Sequence, residues 1–428
     1  MKSPKKDIIF FVGNTVTSAI EEVRDYEKKI GLKFRYGLIQ DSKTKQVPLE
    51  KLQKQKIDIS ISCDLDNLTA TQKALLPYKD HIFSVTARGE YHIPLLAKVV
   101  PHIPYTKSPT SESLIWSTDK LLMRRRLYTY NKKISPAYTV VSDTSKKSLK
   151  KIEEKIGFPM IAKPTGLAAS KYVSLCFHKD ELKNILHKLF KKMRVEEKKH
   201  SIPKIQKVLV EQFMEGDMYS VDCYVNGKGK VYFCPMVNIK TGNTIGFDDF
   251  FGYRQITPTL LGKKSIAEAQ AVATQGIHAL ALRNTTVHIE LMKMEAMWKV
   301  IELSPRIGGF RQQMYLYAYG INHALNDVLI HGGKKPIIPA KRHGYSVAMK
   351  FFAKKEGRLT KLKGIKKITA IKSLKFMRVR KKIGDYCTYA KNGGDSVLNI
   401  IMFNKDRPAL LADVRRLEQM IHIETNKK

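Results

Sequence analysis

The chain has 428 residues, 43 % of them apolar, and a formal net charge of +38. That length suits two or three domains, the apolar share excludes a disordered chain, and no apolar run approaches the ~18 residues of a membrane-crossing helix. The opening MKSPKKDIIFFVG carries Asp7 and too short an apolar run for a signal peptide.

Cys63, Cys176, Cys223, Cys234 and Cys387 show neither CxxC spacing nor a paired framework, and read as reduced thiols of a cytoplasmic protein. A strongly positive field attracts nucleic acid, anionic membranes or acidic metabolites. Lysine outnumbers arginine, however, and is scattered through the whole chain. In the densest segment, 354–382, it alternates with apolar residues as on exposed strand faces. The charge is read as a solvated basic surface, with a polyanion-binding patch as its alternative; a nucleic-acid function would rest on charge alone.

In chain order, DIIFFVGN (7–14), the amphipathic stretch 17–31, FRYGLIQD and KIDISISCDLD read as strand, helix, strand and strand. This is the spacing of βαβ units in an open parallel sheet. No Gly-rich dinucleotide fingerprint accompanies them, so residues 1–115 are expected to form a Rossmann-like domain supporting chemistry carried elsewhere. The stretch 104–120, rich in Pro and hydroxyls, reads as a linker. Residues 121–141 predict a helix and then an extended entry past Pro136, and 156–176 predict strand, turn and strand with Lys163 closing the first.

Segment 208–239 predicts two or three strands broken at Glu215-Gly216 and Asn226-Gly227, and 265–284 a long helix. Residues 315–336 predict a single helix stopped at Gly332-Gly333. The remainder predicts several strands and a helix over 406–420, capped by Asp406 with Pro408 in its first turn.

In VHIELMKMEAMWKVIELSPRIGG (287–309), apolar residues alternate with others on both sides of Glu295-Ala296, which predicts a hairpin. Folded symmetrically about Ala296, it sets Glu290 opposite Glu302 and His288 opposite Ser304. Opposed like charges destabilise a strand pair, so folding does not reward the arrangement unless the carboxylates share a cation. Mg²⁺ suits such a site, since it binds one or two carboxylates plus phosphate oxygens. The alternative is two glutamates on a wet strand face, and a one-residue slip of the turn removes the pairing. Lys163, where a strand stops at Pro-Thr-Gly, is placed to meet a phosphate oxygen. Glu211, in the apolar VLVEQ, marks either an adenine slot or a buried glutamate held by backbone donors.

Taken in order, Thr118-Asp119-Lys120, Lys163-Pro164 with Ser170, VLVEQFMEGDMYSVD (208–222), His288-Ile289-Glu290 and ELSPRIGG (302–309) resemble the motif series of the ATP-grasp superfamily. The resemblance is to its carboxylate–amine ligase branch in particular, which includes the L-amino-acid ligases, and runs from about 90 to 335. It implies an α/β (α+β) chain: a Rossmann-like domain at 1–115, an ATP-grasp domain of two α+β subdomains at 116–335 with its lid at about 135–235, and a β-rich C-terminal part at 336–428.

It also implies ATP and Mg²⁺. Lys120 and Lys163 would neutralise the phosphates, with Ser170 in the phosphate loop. Glu211, Gln212, Phe213 and Met214 would hold adenine, Gln212 and Met214 through backbone groups. Asp217 stands beside Met218, which occupies the place of the ribose-binding acid. Glu290 and Glu302 would bind the metal, with Ser304 where the family's usual Asn stands. Arg306 would face the transferring phosphoryl group or the substrate carboxylate, and Gly308-Gly309 would let the backbone approach the substrate.

The implied activity is ADP-forming ligation of a carboxylate and an amine, amino acids being the expected substrates, through an acyl phosphate. The alternatives are an enzyme adding amino acids to a peptide or protein end, where the basic surface would favour an acidic acceptor, and an ATP-binding module without turnover. Homodimers are common among resembling enzymes, and no membrane partner is implied. The loop 241–258 is expected to shape the acceptor pocket, with Arg254 as a candidate carboxylate clamp.

Overall fold

The computed structural model describes residues 6–14, 17–31, 33–165, 171–200 and 207–426; Ser170 lies outside them. Strands β1 (Ile8–Val12), β2 (Arg35–Asp41), β3 (Ile59–Cys63) and β4 (Ile82–Ala87) form a parallel sheet in the order β3-β2-β1-β4. Ile8, Phe10 and Val12 pack one side of it and Ile9 and Phe11 the other. A strand covered on both faces has no polar alternation to show, which is why IIFFV is an unbroken apolar run. Ala324, Leu325, Val328 and Leu329, from the helix His323–His331, share the second of these cores. The N-terminal sheet is thereby packed directly against the later part of the chain.

Strands β5 (Tyr138–Val141), β6 (Met160–Pro164), β7 (Ser174–Cys176) and β8 (Val208–Gln212) form an antiparallel sheet in the order β5-β8-β6-β7. Ile152, Leu182, Leu186, Leu189 and Met193 of two amphipathic helices back it.

The remaining strands are β9 (Asp217–Val225), β10 (Val231–Phe233), β11 (Val237–Thr241), β12 (Gly252–Thr257), β13 (Thr285–Lys293), β14 (Trp298–Ser304), β15 (Tyr345–Phe351), β16 (Gly357–Lys363), β17 (Leu374–Val379), β18 (Tyr386–Cys387), β19 (Leu398–Asn404) and β20 (His422–Asn426). A nine-stranded sheet runs β14-β13-β9-β11-β12-β15-β19-β17, with β10 pairing on β9. The C-terminal strands β15, β19 and β17 therefore extend the sheet that carries the β13–β14 hairpin. Strands β18, β16 and β20 form a small sheet of their own.

Two expectations are corrected. Residues 315–336 do not form one helix: Arg311–Tyr319 and His323–His331 are separate. Gly320 lies at φ +68, a left-handed stop, and the Asn322 side chain caps the second helix by accepting from the Leu325 N–H. Segment 208–239 holds four strands, because Cys234-Pro235-Met236 adds a third break. The Asp406 cap is as expected, accepting from the Ala409 N–H at the start of Arg407–Met420. All five cysteines are free. Among the described residues no helix is long and apolar enough to cross a membrane.

Candidate active site

The β13–β14 hairpin places Glu290 directly opposite Glu302 and His288 opposite Ser304. The route to that register differs from a symmetric fold about Ala296. The Met294 N–H donates to the Met297 carbonyl at 2.9 Å, which centres the turn between Glu295 and Ala296. Lys293 then faces Trp298, and Leu291 faces Val300. Continued unchanged, this register would set Glu290 against Ile301. A bulge at Ile301 takes up one residue and brings Glu302 opposite Glu290.

Directly opposed residues share a face, with Cβ atoms roughly 4.5–5.5 Å apart. Strand β9 widens that face, setting Ser220 beside Glu290 and Asp222 beside His288. On the reverse side Val221, Ile289 and Leu303 pack against Ala269, Ala273 and Ile277 of the helix Lys263–Ala279. Period-two alternation thus separates a polar site from an apolar core.

Each acid of the pair has a basic side chain near it. Lys120 is the first residue of a helix capped by Asp119, and its Nζ is 3.8 Å from Glu302 Oε2. His288 Nε2 is 3.6 Å from Glu290 Oε1. The fold itself offsets part of the repulsion, so a shared metal ion is not the only compensation. Among the described residues no group of three or more His, Cys, Asp or Glu could hold a metal ion. Two carboxylates on one face fit a hard divalent cation that takes its other oxygens from phosphate.

Asp222 organises the middle of the face. It is fully buried. Its Oδ1 is 2.6 Å from His288 Nδ1, and its Oδ2 is 2.8 Å from His323 Nε2 and accepts the Gly308 N–H at 2.8 Å. Burial would raise this carboxyl, but the two imidazoles outweigh burial and hold it far below the usual range. Burial alone would lower His288; Asp222 reverses that and raises it. A Cβ on Gly308 would lie 2.3 Å from His288 Nδ1, whereas a Cβ on Gly309 would meet nothing within 4 Å. Gly308 therefore serves the close approach of the chain to its own histidine.

The N-terminal domain reaches into this site. Glu90, just beyond β4, accepts from Ser304 Oγ at 3.0 Å and from Arg306 Nε at 2.7 Å. Glu90 opens a short 3-10 helix, and a lone acid there belongs to no motif.

Across the site, Glu211 of β8 is buried between Arg124 Nε at 2.6 Å and Lys163 Nζ at 2.7 Å. Burial would raise its carboxyl, but the two cations outweigh this and bring it down to about 2. Glu211 is thus held by side-chain cations, neither of the partners weighed from the sequence. The Gln212 N–H donates to Ala137 and the Phe213 N–H to Pro159, at 2.9 and 3.2 Å. The Gln212 N–H is thereby engaged within the protein. Met214 follows them, and among the described residues its N–H has no partner. Asp217 opens β9, exposed, beside Lys293.

Residues 156–313 match the ATP-grasp domain family. That stretch contains Lys163, Glu211, Asp222, both hairpin glutamates and Arg306. This chain carries an ATP-grasp domain.

Over nearly its whole length the chain shares its fold with solved structures of other proteins. L-amino acid ligase from Bacillus licheniformis superposes with a TM-score of 0.74 at 15 % identity, over 99 % of this chain and 100 % of that one. N5-carboxyaminoimidazole ribonucleotide synthetase from Thermotoga maritima gives 0.67 at 17 %, over 98 % and 100 %. The biotin carboxylase domain dimer of Hydrogenobacter thermophilus 2-oxoglutarate carboxylase, in complex with MgADP, ADP and bicarbonate, gives 0.65 at 12 %, over 98 % and 91 %. No curated protein sequence matches the chain.

Two arginines frame the ATP-grasp site without having been singled out from the sequence. Arg124, 2 % exposed, donates to the carbonyls of Val300 at 3.0 Å and Ile301 at 2.8 Å as well as to Glu211. Arg311, 1 % exposed, donates to Gln255 Oε1 and Ser220 Oγ, both at 2.6 Å. Arg124 stands in a run of three arginines, and the run does not say which one points inward. Arg254 does not face the carboxylate pair. It lies opposite Met349, on the sheet side packed by the helix Arg407–Met420, while its neighbour Gln255 turns to Arg311. The loop around it is tied down instead by Asp248 and Asp249, which bond Lys391. The Lys391 carbonyl accepts in turn from the Tyr172 N–H at 2.6 Å.

Proposed function

We propose that the protein is an ATP- and Mg²⁺-dependent, ADP-forming ligase that joins a carboxylate to an amine. The reading is carried by Glu290 standing opposite Glu302 on a face that Lys120 and His288 also border. The substrate carboxylate attacks the γ-phosphorus of ATP, ADP departs, and an amine captures the acyl phosphate with release of phosphate. Little covalent work falls to the protein in such a transfer; positioning and charge neutralisation do most of it.

Glu290 and Glu302 hold the Mg²⁺, which neutralises phosphate charge when bound. Lys120 and Lys163 meet the phosphate oxygens, Lys163 being aimed by its contact with Glu211. The free Met214 N–H donates to a ring nitrogen of adenine. Arg306, oriented by Glu90, faces the transferring phosphoryl group and the donor carboxylate. Ser304 gives its hydroxyl to Glu90, which supports a part in placing that acid. Amino acids are the substrates favoured by the likeness to an L-amino acid ligase. The free thiols fit a reducing, cytoplasmic setting.

The test is ADP release from Mg·ATP across paired amino acids. Turnover is expected with at least one pair, and Glu302→Ala should lower it about a hundred- to a thousandfold, as removal of transition-state charge stabilisation does. Undiminished turnover in Glu302→Ala with a working pair sinks the proposal.

A further inference from the structure

Lys350 is a cation of the site that the ligase chemistry leaves unused. It lies on β15, where Val347, Met349 and Phe351 pack the sheet side of the helix Arg407–Met420 and Ala348 packs the side of the helix Arg311–Tyr319. Alternation puts Lys350 on the same side as Ala348, the side that carries Arg311 and its partners Ser220 and Gln255. Its Nζ stands 5.5 Å from the centre of the Phe310 ring, the residue immediately after Gly308-Gly309. The charges acting on it are Glu290, Arg311, Arg380 and Arg306.

Among the described residues the Lys350 ammonium has no ion pair and no hydrogen bond; the Phe310 ring is its recorded partner. The nearby acids are engaged elsewhere. Glu90 holds Arg306, Asp222 holds His288 and His323, and Asp395 holds Arg380 at 2.8 Å. Glu290 acts on Lys350 through space but stands 3.6 Å from His288. A part-buried ammonium with no hydrogen-bonded counter-charge is costly, so a cation surplus kept inside a site marks an anion that arrives with the ligand.

Resting on the ligase reading of this site, we propose that one substrate is a dicarboxylic amino acid of the aspartate or glutamate type. One carboxylate lies at Arg306 and the γ-phosphate for activation; the second is bound by the Lys350 ammonium. Lys350 is then a specificity residue: it recognises the group that is not activated. The neutral amide of the same shape cannot replace that charge-assisted contact, which makes acid against amide the discriminating comparison.

L-glutamate, L-aspartate, L-glutamine and L-asparagine are titrated calorimetrically into the full chain with Mg²⁺ and a non-hydrolysable ATP analogue, and ADP release with ATP is followed alongside. The wild type is expected to bind the acid about tenfold or more tightly than its amide. Lys350→Gln should bring that ratio close to one, and Lys350→Arg should retain it, which separates loss of charge from loss of fold. An acid-to-amide ratio near one in the wild type, or one unchanged in Lys350→Gln, overturns the proposal. Acid-selective binding without ADP release from any pair would leave Lys350 its ligand and remove the ligase reading. ADP release as fast with neutral amino acids as with acidic ones would do the reverse.

Discussion

Arg124 donates a hydrogen bond to the carbonyl of Ile301, the extra residue of the bulge that sets Glu302 opposite Glu290. The same guanidinium holds Glu211, which in turn holds Lys163. One buried arginine therefore couples the register of the carboxylate hairpin to the position of Lys163 across the site.

Arg124→Met leaves two strand carbonyls and one side of Glu211 without a donor. Breaking a buried pair by removing one partner costs about 3–5 kcal/mol, and the shift in denaturant midpoint should show a loss of that size. Arg124→Lys keeps the charge but not the planar fork that reaches four acceptors. It should lose less stability while weakening Mg·ATP binding about tenfold. Unchanged stability in Arg124→Met would rule out the coupling.

Glu302→Gln removes one of two opposed like charges. In metal-free buffer the variant should be no less stable than the wild type, and should gain up to about 1 kcal/mol, a gain reduced by the loss of the Lys120 contact. The stabilisation that Mg·ATP confers on the wild type, about 2.7 kcal/mol at a hundred times Kd, should vanish. Thermal unfolding with and without Mg·ATP measures both effects.

Gly308→Ala and Gly309→Ala form a matched pair. The first drives a Cβ to 2.3 Å from His288 Nδ1, and the second places one in open space. Overpacking costs typically 1–3 kcal/mol, so Gly308→Ala should lose that much stability together with Mg·ATP binding. Gly309→Ala should stay within about 0.5 kcal/mol of wild type. Equal effects at the two positions in paired denaturation curves would show that His288 does not set the limit.

The Glu211 carboxyl is depressed from 4.5 to about 2: burial opposes the shift, and Arg124 and Lys163 prevail. A depressed carboxyl contributes stability that is complete above its unfolded value and lost as pH falls through the folded one. The contribution should therefore fade between about pH 4.5 and pH 2. Urea denaturation across this range should show a shallower acid slope in Glu211→Gln than in wild type, and parallel slopes would contradict the assignment.

The chain's local order determined a good deal by itself. Alternation in 287–309 marked the hairpin, the Asp406 cap marked a helix start, and unbroken apolar runs marked strands. These are properties of neighbouring residues, set by the period of side chains along a strand and by backbone donors within one turn. Tertiary structure decided the rest. The turn sits half a residue away from the symmetric position, and Glu290 meets Glu302 only because Ile301 bulges, with its carbonyl held by Arg124 from 177 positions away. Glu90 reaches Arg306 across 216 positions, and Asp222 meets His323 across 101. Buried charges must find partners wherever packing brings them, and no periodicity in a sequence records which distant pairs will meet.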